Sequence, residues 1–256
     1  RAIIDANANS GADVISFNIP GSPPFTISPT SPLPIITSPV TIDGTTQPGF
    51  VGTPVIQLSG ASAGIPATGL DITAGNTTVR ALTINRFGGP AVNLASSFNV
   101  IVSCYLGTNT TGTAAGPGNE TGVFIVSGSN NRIGGTTSAD RNIISGNGTA
   151  IWMDGPDVTG NTVQGNYVGT NASGTAAVGN TSEGVLLNDA QNNTIGGSIA
   201  GARNLISSSS ESGVFLGGSA NLVQGNYIGT KADGISPLLP KQTFGIWALN
   251  STSNTI

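Results

Sequence analysis

The clearest pattern in the chain is a short alternation of apolar and variable positions that returns repeatedly from Leu70 to the end of the chain. Each occurrence begins with a small residue, followed by an apolar, a variable and a second apolar position. Alternation with a period of two is typical of a β-strand that buries one face. The seven strands predicted in this way cover residues 70–72, 92–94, 123–125, 151–153, 185–187, 214–216 and 246–248.

Asparagine marks the start of a second short strand after each of these. Longer segments also repeat, since residues 161–170 return at 221–230 with few changes, and a third Asn-marked strand follows in several units. Three short strands per unit predict an all-β fold, a right-handed parallel β-helix (solenoid), because one turn cannot bury its apolar face whereas stacked turns bury a continuous core. Equivalent asparagines would then form a structural ladder of hydrogen-bonded amides: Asn99, Asn131, Asn161, Asn193, Asn221 and Asn254.

The first part of the chain departs from this repeat. A short helix over residues 1–9 precedes strands that are punctuated by proline. We interpret residues 1–65 as an N-terminal cap with irregular first turns, because the exposed end of a solenoid is usually covered. Residues 66–256 are expected to form regular turns of one continuous domain, with no cap at the C-terminal end.

Composition removes several classes of function. The chain has no His and a single Cys, Cys104, which excludes histidine-dependent catalysis and an internal disulfide. Its 8 basic residues are too few and too scattered for a nucleic-acid interface, and no apolar run is long enough for a membrane span. We therefore expect no nucleic-acid partner, no metal and no cofactor.

Three related loops leave calcium open as an alternative. They cover residues 107–113, 169–175 and 229–235, and they are rich in Thr, Asn and Gly. Ca²⁺ sites normally use several carboxylates, and the first two loops contain none. We expect these loops to be turns that satisfy their own hydrogen bonds.

Eight Asn-x-Ser/Thr triplets occur, a number that a composition rich in Asn, Ser and Thr explains. They would matter as modification sites only in a source that glycosylates secreted proteins. They begin at Asn76, Asn109, Asn119, Asn147, Asn171, Asn180, Asn192 and Asn250.

The middle position of each first strand must face outward if its two neighbours face the core. This position is polar in the first two strands and then becomes apolar and aromatic. We call its last five residues the aromatic strip: Phe124, Trp152, Leu186, Phe215 and Trp247. An exposed apolar strip usually marks a binding surface. Three interpretations stay open: burial beneath the chain's own loops, contact with a protein, or stacking of sugar rings.

A second column contains the three tyrosines of the chain, Tyr105, Tyr167 and Tyr227. They alternate with the aliphatic residues Ile143 and Leu205, so that a tyrosine recurs in every second unit. Loops packed against this column would explain it, and a ligand platform is the alternative.

The best candidates for catalysis are Asp154, Asp157 and Asp189, with Glu183 near them and Arg132 as the basic group. Paired carboxylates could serve glycoside hydrolysis, and a basic group beside carboxylates could serve a polysaccharide lyase. No candidate stands out from what 12 acidic residues on a solenoid would give, so we favour a protein without enzymatic activity.

Two further arginines, Arg141 and Arg203, occupy equivalent positions in successive repeats. That recurrence indicates a structural role, for which Asp140 is the predicted partner of Arg141.

A family resemblance is carried by the run of residues 1–20, by the motif at residues 41–49, and by the Ile-Gly-Gly and Gly-Asn-Tyr-Ile-Gly-Thr repeats. The chain resembles the right-handed parallel β-helix repeat modules of large bacterial secreted and cell-surface proteins, within the pectin-lyase-like superfamily. The resemblance implies an extracellular or cell-surface location. We expect a structural or adhesive module that acts through protein contacts and can assemble with itself into a fibre. The alternative is a protein that binds or degrades polysaccharides, for which the fold itself is only an analogy.

Overall fold

The computed structural model describes residues 1–256, which form a right-handed parallel β-helix as predicted. Its 23 short strands lie in three all-parallel sheets. Sheet A contains β1 (Asp13–Ser16), β3 (Val40–Asp43), β6 (Thr78–Arg80), β9 (Val100–Val102), β12 (Arg132–Gly134), β15 (Thr162–Gln164), β18 (Thr194–Gly196) and β21 (Leu222–Gln224). Sheet B contains β2 (Phe25–Ile27), β4 (Ile56–Ser59), β7 (Leu82–Asn85), β10 (Tyr105–Leu106), β13 (Ile143–Ile144), β16 (Tyr167–Val168), β19 (Leu205–Ile206) and β22 (Tyr227–Ile228). Sheet C contains β5 (Leu70–Ile72), β8 (Val92–Ala95), β11 (Thr121–Ser127), β14 (Thr149–Asp154), β17 (Val185–Asn188), β20 (Ser212–Leu216) and β23 (Phe244–Ala248).

Helices are few and short. The α-helix α1 covers Ala2–Ala8, and four 3₁₀ helices cover Gly44–Thr46, Gly60–Ser62, Ser138–Asp140 and Ala200–Ala202. No helix combines the length and the apolar character that crossing a bilayer requires.

The register of sheet C confirms the predicted columns. Val123 pairs with Val92 on one side and with Ile151 on the other, and the same column continues through Val185 and Val214. These side chains are fully buried, and they belong to a single core of 40 residues that runs through the molecule. Burial of this continuous apolar column is the main force that holds successive turns together.

The segment 1–65 already belongs to the stack of turns. It supplies β1 and β3 to sheet A and β2 and β4 to sheet B, in register with the later strands. Helix α1 covers the first turn and buries Ala6, while Ile3 packs against the core. One of the proline-punctuated strands predicted in this segment, at residues 34–36, is reduced to a single bridge between Ile36 and Ile72.

The six asparagines at the entry to sheet A lie in one continuous ladder. The backbone N–H of Asn131 donates to Oδ1 of Asn161 at 2.8 Å, and that of Asn161 donates to Asn193 at 2.9 Å. The same bond joins Asn99 to Asn131, Asn193 to Asn221 and Asn221 to Asn254. Each amide therefore satisfies a buried backbone group of the turn before it, which the turn itself cannot do.

Two further ladders run parallel to the first. At the entry to sheet B, Asn142, Asn166, Asn204 and Asn226 are linked in the same way. Before sheet C, the backbone N–H of Asn119 donates to Asn147 at 3.2 Å, and that of Asn147 donates to Asn180 at 3.1 Å. This third ladder was not predicted. Its members all begin Asn-x-Ser/Thr triplets and are at most 4% exposed, so these three amides are closed to glycosylation in the folded chain.

Cys104 occupies the first position of the ladder at sheet B. Its backbone N–H donates to Asn142 at 2.8 Å, and its Sγ lies 3.2 Å from the carbonyl oxygen of Val102. Complete burial raises the pKa of the thiol to about 12.

This environment predicts an unreactive thiol. Because the thiolate is the nucleophile, we expect native protein at about pH 8 to resist a thiol reagent that modifies the urea-unfolded chain within minutes. A colorimetric thiol assay on native and unfolded protein measures this directly. Equal rates in the two states would contradict the burial of Cys104.

Candidate functional site

The aromatic strip lies on the outer face of sheet C, in the register that the alternation predicts. Phe124 pairs with Trp152, Trp152 with Leu186, Leu186 with Phe215 and Phe215 with Trp247. All five side chains are partly buried, so loops of the chain do not cover the strip completely. Five consecutive turns at about 4.8 Å give the strip a length of about 20 Å.

The rings of the strip form two contacting groups on either side of Leu186. The ring centroids of Phe124 and Trp152 are 4.9 Å apart with the planes tilted by 39°. Trp247 packs edge-on against Phe215 at 5.3 Å and also contacts Phe244 at 5.1 Å. Such ring pairs hold one another in fixed orientations, so less side-chain conformational entropy is lost when a partner binds.

Trp152 carries an unsatisfied polar atom. Its indole Nε1 is buried and has no acceptor, whereas the N–H of a buried Trp usually finds one. Stability alone would favour a phenylalanine at this position, because a buried donor without a partner is destabilising. At the polar start of the same column, the amide nitrogen of Asn93 donates to Asp71 at 2.8 Å, while the Asn93 Oδ1 is buried without a partner.

Loops and arginines cover the tyrosine column of sheet B. The guanidinium carbon of Arg141 lies 4.1 Å from the ring centroid of Tyr167, and that of Arg203 lies 4.1 Å from the ring of Tyr227. Tyr105 is also packed, and burial raises the pKa of its hydroxyl despite the opposing effects of a hydrogen bond to Thr53 and of the Arg141 charge. The tyrosines therefore serve as supports for other side chains rather than as an open platform.

The predicted pairing of Asp140 with Arg141 is wrong. Asp140 lies 3.6 Å from Nη1 of Arg132 instead. Arg141 follows the 3₁₀ helix Ser138–Asp140 with an extended backbone, so that its side chain leaves the chain in a different direction from that of Asp140. It crosses to the next turn, where Tyr167 lies.

The three related loops are short hairpins closed by antiparallel bridges, such as that between Thr108 and Ala115. In the first two, an asparagine oxygen caps the turn: Asn109 accepts from the backbone N–H of Thr113, and Asn171 accepts from that of Thr175. In the third, Asp233 accepts the backbone N–H of Ser236, and its hydrogen bonds to Ser236 and Ile235 lower its pKa. The capping oxygens of these loops are thus used within the turns.

The predicted catalytic residues lie on two sheets, with the three aspartates at the ends of sheet C strands and Arg132 in sheet A. Asp154 ends β14 in sheet C, where its Oδ1 accepts a 2.7 Å hydrogen bond from its neighbour Asn188. Arg132 lies in sheet A and donates to the carbonyl oxygen of Gly134 at 2.7 Å. Asp157 and Asp189 are exposed in the turns that leave sheet C.

Glu183 lies at the opposite end of β17 from Asp189, about 20 Å away at about 3.3 Å per residue. It is 9% exposed and accepts from the hydroxyl of Ser182 at 2.7 Å. It interacts with the carboxylate of Glu211 on the next turn, where a shared hydrogen bond with Glu183, together with repulsion between the charges, raises the pKa of Glu211.

Comparison with known proteins does not assign the chain to a family. No protein-family model matches the chain, and no curated protein shows significant similarity to it. The geometry of the surface therefore carries the functional argument.

Proposed function

We propose that the chain is a structural and adhesive β-solenoid module of an extracellular or cell-surface protein, acting through protein contacts made by the aromatic strip. The observation that carries this proposal is a partly exposed row of four aromatic rings and one leucine on a regular parallel sheet. The three asparagine ladders support it, because they link successive turns from Asn99 onward without requiring a ligand. The resemblance to pectin-lyase-like modules of bacterial surface proteins motivates the location.

The partner that best fits the strip is a second copy of the chain. The strip carries no charge, and its side chains repeat at the spacing of the turns, so two strips laid side by side in opposite directions present matching surfaces. Such an isologous contact buries aromatic residues at its centre, where they contribute most to affinity. An isologous contact closes as a dimer, so growth into a fibre needs a second, heterologous contact elsewhere on the chain.

The test is the concentration dependence of assembly. We expect sedimentation velocity to show association of the unmodified chain, and the double variant Phe124→Ser/Trp152→Ser to weaken it at least tenfold, since each buried aromatic anchor contributes about 2 kcal/mol or more. The matched control is Ile235→Ser, which removes an apolar side chain that is 85% exposed outside the strip. Assembly that persists in the double variant, or a chain that stays monomeric at all concentrations, would sink the proposal.

Polysaccharide binding is the second candidate, and the ring pair Phe124–Trp152 favours it because tilted aromatic rings can stack sugar faces. Glycan binding by monomeric protein that is lost in Trp152→Ser would favour this candidate over self-assembly. Depolymerisation of an acidic polysaccharide that is lost in Asp154→Ala would establish an enzyme instead.

A further inference from the structure

Half of the six arginines have no carboxylate partner. Arg1, Arg80 and Arg132 lie within 4 Å of an aspartate, whereas Arg86, Arg141 and Arg203 do not. An unpaired and partly buried guanidinium is a ready binding group for a carboxylate or phosphate. Arg141 and Arg203 are the informative pair, because they are equivalent residues of successive repeats.

Both guanidiniums are held in place by the turn that follows them. Nε of Arg141 donates to the carbonyl oxygen of Gly165 at 3.1 Å, and Nε of Arg203 donates to that of Gly225 at 2.9 Å. The tyrosine ring beneath each one fixes its plane. Arg203 uses one further N–H on the hydroxyl of Tyr227, at 2.8 Å. The remaining N–H groups have no protein acceptor and are free to bind a ligand. Because the bonds above fix each guanidinium, both groups are already oriented before a ligand binds.

The two arginines line one cleft of about 170 Å³, together with Ala200, Leu205 and Ala232. Arg141 precedes β13 and Arg203 precedes β19, and β16 lies between these strands. Two strand spacings of about 4.8 Å place the two guanidiniums about 10 Å apart along the solenoid axis.

The surroundings of the cleft favour a peptide over a sugar chain. Sugar rings are recognised by free aromatic faces, but one face of Tyr167 and of Tyr227 is covered by an arginine. The hairpins also restrict access to the rings, since a Cβ added to Gly174 would lie only 2.9 Å from Cε2 of Tyr167. What remains accessible is a pair of charged donors at a fixed spacing.

We propose that this cleft, which we call the arginine cleft, is a docking site for an extended acidic segment of a partner protein, with two carboxylates three residues apart. A polyproline II segment rises about 3.1 Å per residue and has three residues per turn, so residues i and i+3 lie on one face about 9.3 Å apart. That distance matches the separation of the two guanidiniums. The cleft lies on sheet B, away from the aromatic strip on sheet C, so this proposal and the proposed function can fail independently.

The test uses three labelled, end-blocked peptides, Asp-Pro-Pro-Asp, Asn-Pro-Pro-Asn and Asp-Pro-Asp, titrated with the whole chain and followed by fluorescence anisotropy. We expect the first to bind at least tenfold more tightly than the other two, with an affinity that falls as salt rises. Arg141→Gln and Arg203→Gln should each weaken binding about tenfold, the effect of one charge-assisted contact. Arg132→Gln is the control, because its guanidinium is occupied by Asp140 and Gly134.

Equal binding of the Asp and Asn peptides to the unmodified chain overturns the proposal, and this comparison needs no variant to fold. An effect of Arg132→Gln as large as that of Arg141→Gln also overturns it, because binding would then follow net charge alone. A third arm uses polygalacturonate and inorganic polyphosphate. If these bind in an Arg141-dependent manner while the acidic peptide does not, the proposal is overturned and the cleft serves a different class of ligand.

Discussion

Replacing Asn161 with alanine is expected to lower the free energy of unfolding by about 3–5 kcal/mol. The Asn161 side chain accepts from the backbone N–H of Asn131 at 2.8 Å and donates to Asn193 at 3.0 Å and to the carbonyl oxygen of Gly128 at 3.3 Å. Alanine removes all three bonds and leaves the buried N–H of Asn131 without a partner. An orphaned buried donor costs about 1–3 kcal/mol, and each further lost bond adds about 1 kcal/mol.

The matched control is Asn254→Ala, at the last position of the same ladder. Asn254 accepts from the backbone N–H of Asn221 at 2.8 Å and donates to the carbonyl oxygen of Gly218 at 3.0 Å. Because Asn254 is partly exposed, water can form these hydrogen bonds in the alanine variant. We expect a loss of about 1 kcal/mol there. Urea denaturation followed by circular dichroism measures both. Equal losses at the two positions would mean that the ladder does not depend on burial.

The part of the fold that could be predicted is the part that repeats locally. Alternation within each short strand places Val123 and Ile125 inward and Phe124 outward, whatever the rest of the chain does. The sheet A ladder could also be predicted, because Asn161 and Asn221 occupy the same position in segments that are otherwise alike. In a solenoid, such equivalence becomes vertical contact once the turns stack.

The contacts that could not be predicted cross from a loop to a different turn. Arg141 meets Tyr167 on the next turn, because the loop before sheet B directs its side chain along the axis. Sequence proximity pointed instead to Asp140, although neighbouring residues in an extended backbone project in different directions. The available signal was the shared repeat, since Arg141 and Arg203 recur with Tyr167 and Tyr227 at nearly the same period.

The third ladder could not be predicted for a different reason. Asn119, Asn147 and Asn180 recur 28 and 33 residues apart, which is within the range of the sheet A ladder, but they lie outside the long segments that repeat in the sequence. Each also begins an Asn-x-Ser/Thr triplet, which composition alone explains. Burial is what separates a structural amide from an exposed modification site, and burial depends on the path of the turn before sheet C.

The tightness of the stack leads to the second large effect, at Gly169. This residue follows β16 with φ = +74°, and a Cβ there would overlap the carbonyl oxygen of Ser207 on the next turn. We expect Gly169→Ala to lower the free energy of unfolding by about 3 kcal/mol or more, from two causes. The left-handed backbone costs an alanine about 1–2 kcal/mol, and a side chain forced into a packed site adds about 1–3 kcal/mol.

Gly155→Ala separates these two causes, because Gly155 also has a positive φ of +106° but a Cβ there would meet nothing within 4 Å. Its loss should be the backbone cost alone, about 1–2 kcal/mol, measured by the same urea titration. The steric clash at Gly169 should also affect the neighbouring hairpin. The N–H of Gly169 donates to Ile144, and its carbonyl oxygen accepts from Val178, so displacing Gly169 loosens the hairpin that covers Tyr167. Faster amide exchange of Val178 in Gly169→Ala, but not in Gly155→Ala, is therefore expected. Equal stability losses in the two variants would show that neighbouring turns can separate without cost, which is incompatible with a solenoid held together by close vertical contact.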